Sequence, residues 1–255
     1  MAILEIKGLT KVFGGLTAVS RVNIEVSEGE LVGLIGPNGA GKTTVFNLLT
    51  GVYAPTSGEI LLTGRPLNGL RPYEITRRGV ARTFQNIRLF NELSVLDNVK
   101  IAFHRHVKSS ILASMLRFPG FAREERQLEA KALELLEIFH LTGRKDELAK
   151  NLSYGEQRRL EIVRALATGP RLLLLDEPAA GMNPQETNEL VQLIRWVRER
   201  FNLTIILIEH DMGLVMRLCE RIYVLDYGLV IAEGAPGEIK KDPRVIQAYL
   251  GEEAV

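Results

Sequence analysis

The chain has 255 residues, of which 46% are hydrophobic and 25% are charged, and its formal net charge is +1. This composition is typical of a soluble globular protein with a full core and argues against intrinsic disorder. The small net charge gives no global field that would attract nucleic acid, and a single cysteine, Cys219, excludes an internal disulfide framework.

The first part of the chain predicts two half-buried strands, because apolar and polar residues alternate over residues 3–9 and 22–26. Residues 1–7 do not resemble a signal sequence, and no apolar run approaches the ~18 residues of a membrane-spanning helix. We therefore expect any membrane-spanning part of a complex to be supplied by another chain. Phe13 stands beside a glycine pair, where its ring can stack on a purine base. The alternative for Phe13 is a core aromatic residue.

A glycine-rich stretch follows the apolar run at residues 31–35, precedes a helical pattern at residues 45–50, and fits G-x-x-x-x-G-K-[ST]. In the order strand, loop, helix, this pattern predicts a phosphate cradle, because glycine backbone N–H groups and the helix N-terminus attract anions. Lys42 would supply a charge for the outer phosphates, Thr43 a hydroxyl ligand for Mg²⁺, and Thr44 a bond to an inner phosphate. A structural glycine turn is the disfavoured alternative. The candidate residues are Gly36, Pro37, Asn38, Gly39, Ala40, Gly41, Lys42, Thr43 and Thr44.

The sequence pattern in the middle of the chain changes from strand to helix after Gln85, which follows a short strand pattern at residues 79–84. Its uncharged amide can ligate Mg²⁺ through oxygen or hold a water molecule. Strand signals then fade, and apolar residues recur at helical spacing over residues 123–139. We expect an inserted helical subdomain at approximately residues 88–160, within one domain that spans residues 1–255. Residues 107–121 favour a surface helical hairpin over a membrane contact.

Ser153 and Glu156 predict a capping box at the start of a helix. With Gly155 bare of a side chain, the same helix start also predicts a second anion site. One chain does not need two such sites for one phosphate group, so the purpose of the second remains open at this point. The basic doublets, including Arg158-Arg159, are expected on solvated faces.

Four leucines lead to Asp176 and Glu177, a pattern typical of a buried parallel strand that ends at a ligand crevice. Asp176 would hold Mg²⁺, directly or through water, and Glu177 would polarise the attacking water. Structural roles for these two carboxylates would be favoured only if the chain had no phosphate cradle. Asn183 and Pro184 then predict a capped helix that runs to about residue 201.

A second buried strand, residues 203–208, ends at His210, which can bond a γ-phosphate and sense its loss. His104, His106 and His140 have no comparable setting. Residues 221–255 predict two strands joined at Tyr227-Gly228, followed by terminal helices. Cys219 is expected to be a packing residue.

Taken in order, these motifs resemble those of the ATP-binding subunit of ABC transporters over essentially the whole chain. The resemblance implies an α/β P-loop NTPase with a mostly parallel sheet core, an N-terminal antiparallel β subdomain and an inserted α-helical subdomain. It makes residues 36–43 the Walker A loop, Phe13 the adenine contact, Gln85 the Q-loop, residues 152–157 the signature motif and residues 172–176 Walker B. Glu177 is then the catalytic glutamate and His210 the switch histidine.

The same resemblance implies hydrolysis of ATP with Mg²⁺ in a head-to-tail dimer with a second ATPase subunit, homologous or identical. In such a dimer, Ser153, Gly155 and Gln157 would act in trans on the γ-phosphate bound by the other subunit. The implied partners are integral membrane permease subunits and, indirectly, a substrate-binding protein, but no nucleic acid. The implied location is peripheral, on the cytoplasmic side of the inner membrane.

Four longer blocks resemble one of the two ATPases of the high-affinity branched-chain amino-acid importer: residues 82–85 with 88–90, 152–162, 176–184 and 208–212. Tyr154 replaces the more common glycine of the signature, and Met182 stands where leucine is usual. One alternative is an ATPase of the same fold that serves amide or urea import or lipopolysaccharide export. A soluble, non-transport ABC ATPase is disfavoured, because the chain has no heptad run and no basic stripe.

Overall fold

The computed structural model describes residues 2–103 and 119–250. The strands are β1 (Ala2–Phe13), β2 (Leu16–Ser27), β3 (Leu31–Ile35), β4 (Ser57–Leu62), β5 (Arg65–Pro66), β6 (Val80–Arg82), β7 (Leu172–Asp176), β8 (Thr204–Ile208), β9 (Arg221–Asp226) and β10 (Leu229–Gly234). The helices are α1 (Lys42–Leu49), α2 (Pro72–Arg78), α3 (Val95–Phe103), α4 (Pro119–Ile138), α5 (Tyr154–Ala167), α6 (Pro184–Phe201), α7 (Met212–Leu218), α8 (Pro236–Ile239) and α9 (Pro243–Leu250). Short 3-10 helices occupy Thr142–Arg144 and Ala149–Asn151.

The N-terminal sheet has four strands in the order β2-β1-β4-β5, and all its pairs are antiparallel. The predicted antiparallel subdomain is therefore confirmed, but its first two strands are longer than expected. Phe13 pairs with Leu16 across a turn made by Gly14 and Gly15, so the segment expected to connect the strands is itself part of a hairpin. The register of β1 against β2 shifts at several points. These shifts allow the two strands to stay paired beyond residues 3–9 and 22–26, where apolar and polar residues alternate.

The second sheet has six strands in the order β10-β9-β3-β8-β7-β6. Its pairs are parallel except β10 with β9, which confirms the predicted mostly parallel core. Every residue of β3, β7 and β8 is buried. Because parallel strands end at one edge of a sheet, the segments after β3, β6, β7 and β8 emerge side by side.

The core is divided between the two faces of this sheet, because successive side chains of a strand point to opposite faces. Leu173 and Leu175 join an apolar cluster that contains residues of α5 and α6. Leu172 and Leu174 join a second cluster, which contains α1 and the inner face of the N-terminal sheet. The leucine run at residues 172–175 is apolar throughout because both faces of β7 are covered.

Between β6 and β7, the regular elements within the described residues are helices joined by loops, apart from a single bridge between Ser94 and Leu148. The helix expected at residues 123–139 is observed at Pro119–Ile138. The boundaries of the helical subdomain remain a prediction, since α5 continues past residue 160 and packs on the sheet. Residues 107–118 of the expected hairpin, with His104 and His106, lie outside the described residues.

The C-terminal part agrees with the sequence, since β9 and β10 meet at the Tyr227-Gly228 turn. Helix α7, between β8 and β9, was not anticipated. Cys219 follows it and is buried, so its expected packing role is confirmed. Within residues 2–103 and 119–250, no helix combines the length and apolar character needed to cross a bilayer.

Candidate nucleotide site

The glycine-rich loop joins β3 to α1, and its shape requires glycine at two points. Gly36 and Gly41 have φ angles of 146° and 103°, which side chains rarely adopt. A Cβ atom at Gly36 would lie 2.0 Å from the Leu225 carbonyl oxygen, and one at Gly41 would lie 2.6 Å from the Ala18 carbonyl oxygen. The loop is therefore pressed against backbone from both β2 and the end of β9.

Lys42 is buried at the start of α1, where its Nζ donates to the carbonyl oxygens of Gly36 and Pro37 at 2.6 and 2.8 Å. These bonds hold the ammonium group across the mouth of the loop. A cleft of about 370 Å³ opens in front of it. The cleft is lined by Leu16, Thr17, Ala18, Asn38, Gly39, Ala40, Gly41, Lys42, Thr43, Thr44, Gln85, Glu177, His210 and Tyr227.

Three predicted catalytic residues meet in this cleft, although they follow different strands. The Glu177 carboxylate lies with Oε1 2.6 Å from His210 Nε2, and its Oε2 accepts a hydrogen bond from Gln85 Nε2 at 2.9 Å. Glu177 adopts a left-handed backbone with φ 48°, and its N–H donates to the Ile208 carbonyl at 2.9 Å. A non-glycine residue in this conformation is strained, and such strain is common at functional sites.

Asp176 is buried beneath the cleft rather than on its surface. Its carboxylate accepts a hydrogen bond from Arg82 Nη2 at 2.7 Å, and Arg82 Nη1 donates to Asn47 Oδ1 at 2.6 Å. The sequence identified Arg82 only as part of a motif and did not predict its contact with Asp176.

The residues that line the cleft fit a magnesium ion. Thr43 and Gln85 both carry oxygen donors, which Mg²⁺ prefers, and phosphate oxygens of a nucleotide would complete its shell. Among the described residues, no group of three or more histidine, cysteine, aspartate and glutamate side chains is placed to bind a metal without a nucleotide. Asp176 is a candidate for a water-mediated contact, because Arg82 already occupies one of its oxygens.

Phe13 lies on the hairpin beside the cleft and packs edge-on against Tyr53, with ring centroids 5.1 Å apart. Both rings are partly exposed, and Lys11 Nζ lies 4.8 Å from the centroid of the Phe13 ring. Phe13 does not itself line the cleft, whereas its pairing partner Leu16 does. Its predicted contact with adenine stays a prediction. Tyr53 was missed, because an aromatic residue in a loop shows no periodic pattern.

The predicted capping box at α5 is confirmed. Glu156 Oε2 accepts from Ser153 N at 2.9 Å, and Ser153 Oγ accepts from Glu156 N at 3.4 Å. Burial raises the pKa of Glu156, but the bonds from Ser153 and the charge of Arg144 outweigh burial and bring this pKa below its usual value. Gln157 Nε2 donates to the Leu152 carbonyl at 2.9 Å.

The predicted in-trans residues do not reach the cleft of their own chain: Ser153, Gly155 and Gln157 are absent from its lining. Gly155 lines a different groove, of about 830 Å³, between α4, α5 and α6.

The expectation that Arg158 lies on a solvated face is wrong. Arg158 is fully buried and donates to the Phe84 carbonyl at 2.5 Å and the Gln85 carbonyl at 2.7 Å. It also forms an ion pair with Glu161 at 3.1 Å. The planar, multi-donor guanidinium group tolerates burial because several acceptors surround it. Arg159 is partly exposed.

Glu209 is a further functional candidate that sequence reasoning missed. It is buried after β8, where Oε1 accepts from Ala179 N at 2.9 Å and Oε2 accepts from His210 N at 3.1 Å. Burial raises the pKa of Glu209. The side chain ties the segment after Glu177 to the segment that carries His210.

Residues 19–180, which contain the glycine loop, Gln85, the α5 cap and Glu177, match the family model described as "ABC transporter". The chain belongs to the ABC transporter family. A second model, described as "Branched-chain amino acid ATP-binding cassette transporter", matches residues 230–255 of this ABC-family chain.

The ABC-family relatives include proteins that match over nearly their full length. The high-affinity branched-chain amino acid transport ATP-binding protein BraF of Pseudomonas aeruginosa is 51% identical over 250 residues, which cover 98% of each chain. The protein LivG of Escherichia coli, with the same description, is 50% identical over 250 residues and 98% of each chain. The lipopolysaccharide export system ATP-binding protein LptB of Escherichia coli is 36% identical over 253 residues and 99% of each chain.

Solved structures of ABC cassettes confirm the predicted fold class. The ADP conformation of an ATP-binding cassette of an ABC transporter is 31% identical and gives a TM-score of 0.85, covering 98% of this chain and 99% of that one. A dimeric cassette in a post-hydrolysis state, bound to ADP and phosphate, is 27% identical and gives a TM-score of 0.77, covering 91% of this chain and 98% of that one.

Proposed function

We propose that this chain is the ATP-hydrolysing subunit that energises a membrane importer of branched-chain amino acids. One observation carries the ATPase assignment: Glu177 shares a cleft with the glycine loop and is held between His210 and Gln85. Such a carboxylate is suited to accept a proton from an attacking water.

The glycine loop binds the phosphates through backbone N–H groups and the N-terminus of α1, and Lys42 adds a positive charge. Glu177 orients the water and takes its proton, while Gln85 and His210 fix the direction of the carboxylate. Thr43 and Gln85, with Asp176 through a water molecule, would hold Mg²⁺, whose charge would offset that of the phosphate oxygens. Phe13, next to Tyr53, stacks on the adenine ring.

Ser153, Gly155 and Gln157 act on a nucleotide bound by a second ATPase subunit. Support comes from their position at the start of α5, away from the cleft of their own chain, and from a dimeric solved cassette of similar fold. Two ATP molecules then hold the two ATPase subunits together, each through its γ-phosphate. Hydrolysis removes these contacts, and the subunits separate. The cycle transmits this closure to membrane permease subunits as a rigid-body switch.

The proposed cargo rests on similarity to the branched-chain amino acid transport proteins, which at 50–51% identity exceeds the 36% identity with the lipopolysaccharide export protein. We propose that a substrate-binding protein delivers this cargo and that the chain works peripherally, on the cytoplasmic side of the inner membrane.

The test is purification of the full chain with the membrane proteins and second ATPase that accompany it, followed by reconstitution with a binding protein. Leucine should stimulate phosphate release, and Lys42→Ala in the same complex should abolish that stimulation. Stimulation by urea or an amide and not by leucine would assign the alternative cargo. Failure to associate with any membrane subunit would overturn the transporter function.

A further inference from the structure

A buried arginine holds the segment that carries Gln85. Arg158 donates to the carbonyl groups of Phe84 and Gln85, which lie on either side of the Gln85 α-carbon. The Gln85 side chain in turn donates to Glu177 at 2.9 Å. Two hydrogen bonds to adjacent peptide groups leave little freedom of rotation at Gln85, so Arg158 influences where its amide points.

Glu161, one turn later on the same helix, binds the same segment around Gln85. Its Oε1 accepts from the N–H groups of Phe84 and Arg88 at 3.2 and 3.3 Å, while its Oε2 pairs with Arg158. Both side chains are almost completely buried. A buried ion pair is a weak source of stability, because removing two charges from water offsets much of their attraction. Stability alone therefore does not account for this pair.

Tyr154 connects the pair to two further segments. Its hydroxyl accepts from Arg158 Nη2 at 3.0 Å, and it follows Ser153 directly in the chain. Its ring also rests on the loop after Glu177, since a Cβ atom at Gly181 would lie 3.0 Å from Tyr154 Cε1. The residue that departs from the common glycine of the signature thus contacts the α5 start, the arginine and the loop before α6.

We propose that Arg158 is a positioning residue for hydrolysis, which fixes the Gln85 amide against Glu177 and couples it through Tyr154 to the α5 start. The inference rests on the proposed ATPase function. Displacement of Ser153 and Tyr154 by a second subunit shifts Arg158, and Arg158 shifts Gln85. The Glu177 carboxylate is therefore aligned with the attacking water only when the start of α5 is correctly engaged.

The main variant is Arg158→Met/Glu161→Gln, which removes both buried charges together and leaves neither unpaired. The introduced amide oxygen can still accept from Phe84 and Arg88. We expect kcat for ATP to fall about 10- to 100-fold, because misplacement of a catalytic group by about 1 Å has effects of this size. The Kd for ATP should stay unchanged, because the glycine loop is untouched.

A second variant, Tyr154→Phe, removes only the hydroxyl and keeps the ring against Gly181. It should lower kcat in the same direction by a smaller factor, and it tests the proposal even if the double variant does not fold. The matched control is Arg221→Met, because Arg221 is also held by two glutamates, Glu30 and Glu233, but on β9, which lies four strands away from β6 in the six-stranded sheet. It should lower Tm and leave kcat unchanged.

The decisive readout is a double-mutant cycle with Gln85→Ala. If Arg158 acts through Gln85, the Arg158→Met/Glu161→Gln change should cause no further loss of kcat in the Gln85→Ala background. Full additivity of the two losses, unchanged kcat in both Arg158 and Tyr154 variants, or a loss confined to ATP affinity would each overturn the positioning role. Absence of hydrolysis by the wild-type complex would overturn the proposed function instead.

Discussion

The backbone of Glu177 is fixed before any reaction, because its left-handed conformation and its bond to Ile208 set where the carboxylate begins. Two side chains then set where it points. Such preorganisation reduces the rearrangement that a carboxylate needs before it can act as a general base.

Glu177→Gln should therefore trap a closed, ATP-bound dimer and lower kcat by about 10²- to 10⁴-fold, the usual contribution of a general base. Phosphate release measures the rate, and size-exclusion chromatography with ATP measures dimer closure. Glu189→Gln, on the surface of α6, is the control and should behave as wild type. Wild-type turnover by Glu177→Gln would remove Glu177 from the base role.

At this scale, the sequence predicted the acidic and glycine-rich parts of the site and missed the residues that hold them. Glu177 could be found because the leucine run before it marks a strand that ends at the sheet edge. Arg158 could not, because a charged side chain predicts exposure and the two backbone carbonyls that accept from it lie 73 and 74 residues earlier in the chain. A polar residue that is buried by distant partners has no local signature.

Among the elements, α5 carries two roles at one end. Its first turn is capped within the chain by Ser153 and Glu156, and the same turn is proposed to face a nucleotide in another subunit. The capping box was predictable because it is a local pattern four residues long. The end of the helical subdomain has no such local pattern, and α5 itself continues past residue 160 to pack on the sheet.

Ser153→Ala should lower the free energy of unfolding by about 0.5–2 kcal/mol through loss of the cap, and it should also slow hydrolysis in the dimer. Ser153→Thr keeps a hydroxyl and should retain most of both properties. Glu74→Ala, which removes a corresponding capping bond to Arg71 on α2, should cost stability alone. Chemical denaturation and phosphate release separate the two effects. Equal hydrolysis by Ser153→Ala and wild type would contradict the in-trans role.

Across the whole molecule, the strand types were predictable and the strand order was not. Alternation marked the N-terminal strands, and apolar runs marked β3, β7 and β8 as buried. No local pattern indicates that β3 lies between β8 and β9, which follow it by more than 160 residues. Such pairings are set by burial of the whole sheet rather than by any one segment.

Cys219 gives a probe of this core, because it packs over β3 and a Cβ atom at Gly33 would lie 3.1 Å from its Sγ. Burial raises the pKa of Cys219 from 9.0 to about 12, which leaves about a thousandfold less thiolate in the folded protein at pH 8. Because the folded pKa is the higher one, the contribution of this thiol to stability is complete below about pH 9 and is lost as the pH rises towards 12.

The native protein should therefore react with an aromatic disulfide reagent at pH 8 about a thousandfold more slowly than the denatured chain. Absorbance of the released thiol measures the rate, and Cys219→Ser supplies the blank. Comparable rates for native and denatured protein would show that this part of the core is open to solvent.

The contact between the glycine loop and the far end of β9 has a consequence for how the protein is made. Gly36 rests against Leu225, and Gly228 N donates to the Ala40 carbonyl at 3.0 Å. During synthesis the nucleotide loop therefore appears early, whereas the backbone that supports it, at Leu225 and Gly228, follows much later in the chain. Nucleotide capture should therefore begin only after the chain through residue 228 is free to fold.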